Sequence, residues 1–254
     1  GWYIGYIGNK KWRIAGYLWA PATGIVHGVE GYPNFNHPEE LSDILLENKG
    51  RKLVDVTKEL HVFEASNNEG VTIADFDNNG FQDILITKRG DLVHVNESTI
   101  YLNKGKSGFE KLSNHQIIST ELGAIGMAVE TIDYNQDGKT DVILGNERGL
   151  WHLFKNELKD AKDNNFITIE VGSSNSGKVT ALGAIVEVKS CNNKQILRVG
   201  STGAQYSQGF NNFMNFGLGT CKEAIKVKVT YTNGETLEKN ITTLNTKILI
   251  GKKN

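Results

Sequence analysis

The chain has 254 residues, of which 39% are hydrophobic, so it can bury one large core or two ordinary ones. Its 28 basic and 29 acidic residues nearly cancel, which removes any electrostatic reason to expect a nucleic acid or an anionic membrane as partner. No apolar run approaches the roughly 20 residues that a membrane-spanning helix needs, so we expect no membrane span.

The N-terminal segment 1–41 is rich in aromatic side chains. The turn Gly8-Asn9-Lys10-Lys11 between two apolar stretches predicts a β-hairpin, and the proline-containing segment 21–38 predicts an irregular loop. Packing in the core of a sheet is the simpler explanation of the aromatics, and a sugar-stacking surface is the alternative. Under that alternative, the candidate ligand-binding residues are Trp2, Trp12, Trp19, His27 and His37.

Two loops further along the chain, 75–83 and 133–141, both follow the pattern D-x-[DN]-x-[DN]-G-x-x-D. Oxygen-bearing side chains at alternate positions of a tight loop converge on one point, and the glycine at the sixth position permits the sharp turn that wraps a cation. We therefore predict two Ca²⁺ sites; the alternative is a pair of Asx-rich turns without metal. The predicted ligands are Asp75, Asp77, Asn79, the carbonyl of Phe81 and Asp83 in the first loop, and Asp133, Asn135, Asp137, the carbonyl of Lys139 and Asp141 in the second.

The sequence around these loops is unlike that of an EF-hand. An EF-hand needs a glutamate at the twelfth loop position and two flanking helices, but this position holds Ile86 in one loop and Leu144 in the other. Short apolar runs precede and follow each loop, which predicts that each loop connects two strands.

An internal repeat accompanies the loops. Asn48, Asn103 and Asn156 stand in similar contexts, 55 and then 53 positions apart. A period in the fifties, built from short β-rich runs, is the size of one four-stranded propeller blade. Helical periodicity is poor, and the best candidates, 38–48 and 155–163, predict one or two turns at most.

On these motifs, residues 42–160 resemble the FG-GAP/VCBS repeats of integrin-like β-propellers. The resemblance implies blade-type sheets in which a loop of this pattern, between the first two strands of a blade, holds calcium. A closed propeller normally takes four or more blades, and two clear repeats are present here. Either residues 1–41 supply strands of a partial blade, or further blades come from a longer chain or another subunit.

The pattern changes after the polar stretch 159–165, which predicts a domain boundary. Five strands, separated by turn residues, predict a compact antiparallel β-sandwich or barrel over 166–254. The predicted strands are 166–171, 184–188, 195–199, 225–229 and 247–250.

This C-terminal segment resembles the ASPIC/UnbV domain, which often follows FG-GAP/VCBS repeats in secreted bacterial proteins and in cartilage acidic protein. The motifs that carry the resemblance, in order, are Ser174-Asn175-Ser176-Gly177, Leu182-Gly183-Ala184-Ile185-Val186-Glu187-Val188, Gly203-Ala204-Gln205-Tyr206-Ser207-Gln208 and Asn215-Phe216-Gly217-Leu218-Gly219. Tyr231-Thr232 stands where that domain usually has Trp-Pro, so any role of that tryptophan does not carry over.

The two cysteines, Cys191 and Cys221, each lie beside a turn signal, and a disulfide between neighbouring strands is as consistent with the sequence as two reduced thiols. Calcium loops with few charges are typical of extracellular calcium concentrations, which favours a secreted or cell-surface protein.

We recognise no catalytic motif in the sequence. The six histidines are scattered, and they show neither metal-ligand spacing nor a nucleophile partner. We therefore favour a non-catalytic extracellular binding or adhesion module whose partner is a glycan or a protein. The alternative is an accessory C-terminal part of a polysaccharide-active enzyme, or such an enzyme itself.

Overall fold

The structure is a computed structural model that describes residues 2–16, 43–62, 68–88, 95–121, 124–147, 149–159, 163–191, 193–200 and 211–253. The chain divides into two units, Gly1–Glu39 and Glu40–Asn254. Within the described ranges, no helix has the length and hydropathy needed to cross a membrane.

In the first unit, strands β1 (Trp2–Gly8) and β2 (Lys11–Gly16) pair antiparallel. The turn between them places Asn9 and Lys10 at φ of 51° and 60°, the left-handed region in which asparagine is common at hairpin turns. The predicted hairpin is therefore confirmed.

The repeat region of the second unit contains short antiparallel strands. They are β3 (Leu46–Asn48), β4 (Leu53–Asp55), β5 (Asn68–Ala74), β6 (Asp83–Lys88), β7 (Asn96–Glu97), β8 (Thr99–Asn103), β9 (Phe109–Lys111), β10 (Ile118–Ser119), β11 (Gly126–Ile132), β12 (Asp141–Asn146) and β13 (Trp151–Phe154), with a 3₁₀ turn at Gly105–Ser107. One blade has four strands in the order β5-β6-β8-β9, and the next has three in the order β11-β12-β13. These sheets confirm the predicted blade-type architecture.

The two blades share a core because their central strands are buried on both faces. Leu85 of β6 is fully buried and packs in one cluster with Val129 of β11 and Val142 of β12. Its neighbours Ile84 and Ile86 point into a second cluster on the other face. This double burial explains why β6 is a continuous apolar run, whereas a strand with one wet face alternates.

The C-terminal region forms a two-sheet sandwich. Its strands are β14 (Asn165–Val171), β15 (Ile185–Ser190), β16 (Asn193–Arg198), β17 (Phe213–Gly219), β18 (Ile225–Thr230), β19 (Thr236–Ile241) and β20 (Thr246–Ile250). The sheet β17-β14-β20 packs on the sheet β16-β15-β18-β19 through fully buried residues such as Ile167, Phe216, Val186 and Val229.

All five strands predicted in this region are present, and two more, β17 and β19, were not predicted from periodicity. The polar run Thr236–Ile241 pairs along the edge of its sheet, so it carries little apolar signal. The expected antiparallel pairing has one exception, since β14 and β20 run parallel.

The short helix expected within 38–48 is wrong where the structure describes it, because Leu46–Asn48 is a strand. Of the turns expected at 155–163, residues 155–159 are non-helical and Asp163 is helical, whereas residues 160–162 lie outside the described residues. In both places an asparagine side chain accepts a hydrogen bond from the backbone amide two residues ahead, Asn48 from Gly50 and Asn156 from Leu158, each within 3.0 Å. Such turns compete with helix formation.

Cys191 and Cys221 form a disulfide with an S–S distance of 2.04 Å. Because Cys191 follows β15 and Cys221 follows β17, the bond joins the ends of strands from the two opposing sheets.

Candidate metal centre

Two strand-to-strand loops carry the predicted metal ligands at equivalent places in the two blades. The first joins β5 to β6, where Ala74 pairs with Asp83, and the second joins β11 to β12, where Ile132 pairs with Asp141. The glycines at the sixth position, Gly80 and Gly138, have φ of 92° and 81°. A cation-wrapping turn needs this conformation, which glycine adopts without steric cost.

The fourth position of each loop is also left-handed, with φ of 55° at Asn78 and 59° at Gln136. Sequence reasoning identified the glycine and missed this second turn. An asparagine at this position was the available signal, since asparagine tolerates the left-handed region.

In the first loop, carboxylate and amide oxygens close the turn. The two carboxylate oxygens of Asp75 accept hydrogen bonds from the backbone amides of Asn79 and Gly80, at 3.0 and 2.8 Å. Asp77 accepts a second bond from the amide of Asn79 at 3.2 Å, and the side-chain oxygen of Asn79 accepts from the amide of Phe81 at 2.8 Å. The loop therefore directs oxygens from alternate positions inward while holding its own backbone.

The second loop repeats this pattern bond for bond. Asp133 accepts from the backbone amides of Asp137 and Gly138 at 3.0 and 2.9 Å, and Asn135 accepts from the amide of Asp137 at 3.2 Å. The carboxylate of Asp137 accepts from the amide of Lys139 at 3.0 Å. The two loops thus share one geometry despite their different residues at positions three and five.

The repeated asparagine of each blade fixes the last carboxylate of its loop. The backbone amide of Asn103 donates to Asp83 at 2.7 Å, and that of Asn156 donates to Asp141 at 2.7 Å. Each carboxylate also accepts from the amide of the second residue of its own loop, at 2.7 and 3.2 Å. Sequence reasoning recognised these asparagines as repeat markers and missed that they act on the loops.

Burial distinguishes the two loops electrostatically. Asp75, Asp77 and Asp83 are 3%, 2% and 0% exposed, and one carboxylate oxygen from each lies within 4.8 Å of the others. In the second loop Asp141 is buried, but Asn135 and Asp137 are exposed.

Loss of solvent raises the pKa of these carboxyl groups. Burial, followed by the charge of Asp83, raises the pKa of Asp75 well above its usual value, and burial raises the pKa of Asp83 to about 7. Burial also raises the pKa of Asp133 and of Asp141. Gathering carboxylates that resist ionisation is unfavourable unless a cation compensates them, and all-oxygen donors suit Ca²⁺. The cluster of Asp75, Asp77 and Asp83 therefore fits a divalent cation.

Residues 75–144 match the family model for the FG-GAP-like repeat, and residues 173–254 match the model for the ASPIC and UnbV domain. The chain carries an FG-GAP-like repeat and a C-terminal ASPIC/UnbV domain. Both resemblances drawn from the sequence are confirmed, and the two domains together are typical of an extracellular, β-rich adhesion or binding module. No curated protein matches the chain.

The ASPIC/UnbV domain packs directly on the FG-GAP loops. The side-chain amide of Asn215, in β17, donates to the carbonyl of Gly138 at 2.9 Å and to the side-chain oxygen of Asn78 at 3.1 Å. Asn78 itself donates to the carbonyl of Gly138 at 2.9 Å. These three groups, which we term the amide triangle, join both loops to each other and to the C-terminal domain.

Two further bonds extend this junction along the first loop. The backbone amide of Gly219 donates to the carbonyl of Asn78 at 2.9 Å, and the side chain of Asn193 donates to the carbonyl of Gly80 at 2.9 Å. Sequence reasoning placed Asn215 and Gly219 in a family motif without a role, because nothing local indicates which distant loop they contact.

The predicted ligand-binding aromatics belong to the N-terminal unit. Trp2 lies in β1, and Trp12 lies in β2, where it is 62% exposed with its ring centroid 5.0 Å from that of Tyr6. Trp19, His27 and His37 lie outside the described residues.

Replacing Gly217 with alanine tests whether the junction is structurally required. A Cβ at this position would lie 2.1 Å from a carboxylate oxygen of Asp75 and 2.5 Å from the backbone of Asn78. We expect Gly217→Ala to lower the free energy of unfolding by about 2 kcal/mol or more, because close-packed backbone cannot yield without shifting. Chemical denaturation measures this, with Gly5→Ala as the control, since a Cβ at Gly5 would meet nothing within 4 Å. Equal free energies of unfolding for the two variants would contradict a structural requirement for close packing at Gly217.

Proposed function

We propose that the chain is a calcium-stabilised extracellular binding module in which each FG-GAP loop holds one Ca²⁺. The observation that carries the proposal is the cluster of buried carboxylates from Asp75, Asp77 and Asp83, whose oxygens lie within 4.8 Å of one another. Calcium would supply the charge that allows these groups to ionise in a dry site. The ligands in each loop are the five groups predicted from its sequence.

A location outside the cytoplasm is supported by the Cys191–Cys221 disulfide, since disulfides persist mainly in oxidising compartments. The partner is a glycan or an extracellular protein. The exposed pair of Trp12 and Tyr6, at 62% and 57%, supports a stacking surface in the N-terminal unit.

We also propose that a longer chain or another subunit supplies additional blade strands. In the part of the chain that the structure describes, the second blade has three strands, one fewer than the first, and large apolar groups are exposed in and just before its outer strand β13. Leu150, Trp151 and Leu153 are 66%, 65% and 51% exposed, which is typical of a face that another element covers.

Calcium removal tests the central claim. We expect chelation with EDTA to lower the melting temperature by several degrees, because a ligand at 100 times its Kd stabilises the native state by about 2.7 kcal/mol per site. The double variant Asp75→Asn/Asp133→Asn should melt at the same temperature with and without calcium. Asp163→Asn removes an exposed carboxylate outside both loops and should behave as the wild type. An unchanged wild-type melting curve after complete metal removal would contradict calcium binding.

The raised carboxyl pKa values predict how the calcium effect varies with pH. Without metal, the pKa of Asp83 is about 7 in the folded chain, whereas an unfolded aspartate titrates near pH 4. The folded state binds the extra proton, so stability from this group is complete below about pH 4 and is lost as the pH rises to about 7.

Calcium holds the same carboxylates ionised, so its stabilising effect should be larger at pH 8 than at pH 5.5. Urea midpoints with EDTA or with calcium at the two pH values measure this difference. The same calcium-induced gain at both values would show that proton and metal do not compete for these groups.

In the first loop a lysine ammonium pairs directly with a ligand carboxylate, whereas no ion pair to a carboxylate of the second loop occurs among the described residues. The ammonium of Lys104 lies 2.9 Å from a carboxylate oxygen of Asp77. Lys104 follows Asn103, and the residue that follows the equivalent Asn156 is Glu157, which pairs with Lys155. A positive charge beside a cation site opposes metal binding.

We therefore expect Lys104→Gln to raise the calcium affinity of the first loop by about fivefold, a modest figure because Lys104 is partly exposed. Isothermal titration calorimetry resolves this change. Lys106→Gln, an exposed lysine of the adjacent 3₁₀ turn, is the matched control and should leave the affinity unchanged. Weaker binding by the Lys104 variant would mean that the lysine supports the metal site.

A further inference from the structure

A cleft of about 780 Å³ opens between the FG-GAP loops and the ASPIC/UnbV sandwich. Its walls include Asp75, Asp133 and Tyr134 from the loops, and Arg198 and Phe213 from the sandwich. We term this space the loop cleft. Its volume falls within the range of about 300–1,000 Å³ that is usual for small-ligand sites.

Exposed aromatic rings line the loop cleft from both sides. Tyr134, in the second loop, is 46% exposed, and Phe213, in β17, is 42% exposed. Both belong to segments held rigidly by the strand pairing and by the bond from the Tyr134 amide to Asp141. Rigid, accessible rings offer stacking surfaces for the C–H faces of sugar rings.

Amide groups at the cleft supply hydrogen-bonding capacity. Gln136 lines the cleft and is exposed. Its side-chain amide can donate to a hydroxyl or carboxylate oxygen of a ligand and can accept from a hydroxyl group.

The charge of the cleft depends on the state of the loops. Two basic residues, Arg198 and Lys247, face two acidic ones, Asp75 and Asp133. Lys247 also pairs with Glu170 at 3.2 Å and lies 4.0 Å from the Phe213 centroid, whereas Arg198 makes no ion pair with the described residues. When cations neutralise the two loop carboxylates, Arg198 and Lys247 remain as the charged groups of the cleft, and only Lys247 is paired with a carboxylate.

We propose that the loop cleft binds an anionic saccharide, one that carries a carboxylate or a sulfate, when calcium fills the loops. The inference rests on the proposed function, because it assigns a ligand class to the calcium-loaded module. Arg198 pairs with the anionic group, Tyr134 and Phe213 stack on the sugar rings, and the exposed amide of Gln136 donates to an oxygen. The competing occupant is an acidic peptide that adds to the edge of β16, which is the outermost strand of its sheet among the described residues.

Calorimetric titration of the whole chain with defined hexasaccharides tests the proposal. We expect calcium-dependent binding of a hyaluronan hexasaccharide, which offers carboxylates, or of a chondroitin sulfate hexasaccharide, which adds sulfates. The neutral chitin hexasaccharide should not bind. Binding of either anionic probe supports the proposal, and the comparison between them identifies the preferred anion.

Variants then place the ligand in the cleft. Arg198→Gln should weaken binding about tenfold or more, because it removes a charge-assisted hydrogen bond. Lys194→Gln removes the same charge from the same strand, at an exposed position that does not line the cleft, and should retain wild-type affinity. Tyr134→Ala should weaken binding without altering the calcium-dependent melting shift.

Several outcomes would overturn the inference. Equal losses in the Arg198 and Lys194 variants would indicate non-specific attraction, and equal binding in EDTA would separate the cleft from the loops. A glutamate-rich peptide that binds through Arg198 while the saccharides do not would identify the competing occupant. If calcium raises the melting temperature but no saccharide binds, this inference alone fails; if calcium has no effect on melting, the proposed function fails as well.

Discussion

The burial of negative charge at one junction constrains the whole second unit. Asp75, Asp77 and Asp83 are withdrawn from water by the strands of their own blade and by the ASPIC/UnbV domain that covers the first loop. Unpaired buried carboxylates cost several kcal/mol each, so the fold is favourable only if protons, the Lys104 ammonium or a metal ion compensate them. The stability of this unit and its response to pH therefore both depend on this loop.

Contacts across the junction couple the two domains. The amide triangle ties a carbonyl of the second loop to a side chain of the first and to Asn215 of the sandwich, and each of its bonds is 3.1 Å or shorter. Gly138 leaves no room for a side chain, since a Cβ there would lie 2.0 Å from the ring of Phe166. Such close backbone packing makes the loops part of the domain interface, so a change in loop geometry reaches the sandwich without an intervening hinge.

The sequence predicted those features that local patterns encode. Apolar runs gave the strands around each loop, and the repeated acidic pattern gave both turns with their sixth-position glycines at positive φ. It did not predict β17 as a strand, the clamping of Asp83 by Asn103, or the contact of Asn215 with both loops. The clamp joins residues 20 positions apart, and the contacts of Asn215 with the second and first loops join residues 77 and 137 positions apart. β17 likewise pairs with the distant strand β14, and no local periodicity records such pairings.

The two loops share a geometry but not an environment, and this difference assigns them unequal roles. The first is buried under β17 and partly neutralised by Lys104, so a cation there would be shielded from solvent and would act mainly as a structural ion. The second exposes Asn135 and Asp137 and has Glu157 where the first has Lys104. A cation in the second loop would exchange more readily with solvent, because water reaches its ligands. Tyr134 of this exposed loop also lines the cleft, so the loop whose oxygen groups water reaches is the one that presents an aromatic ring there.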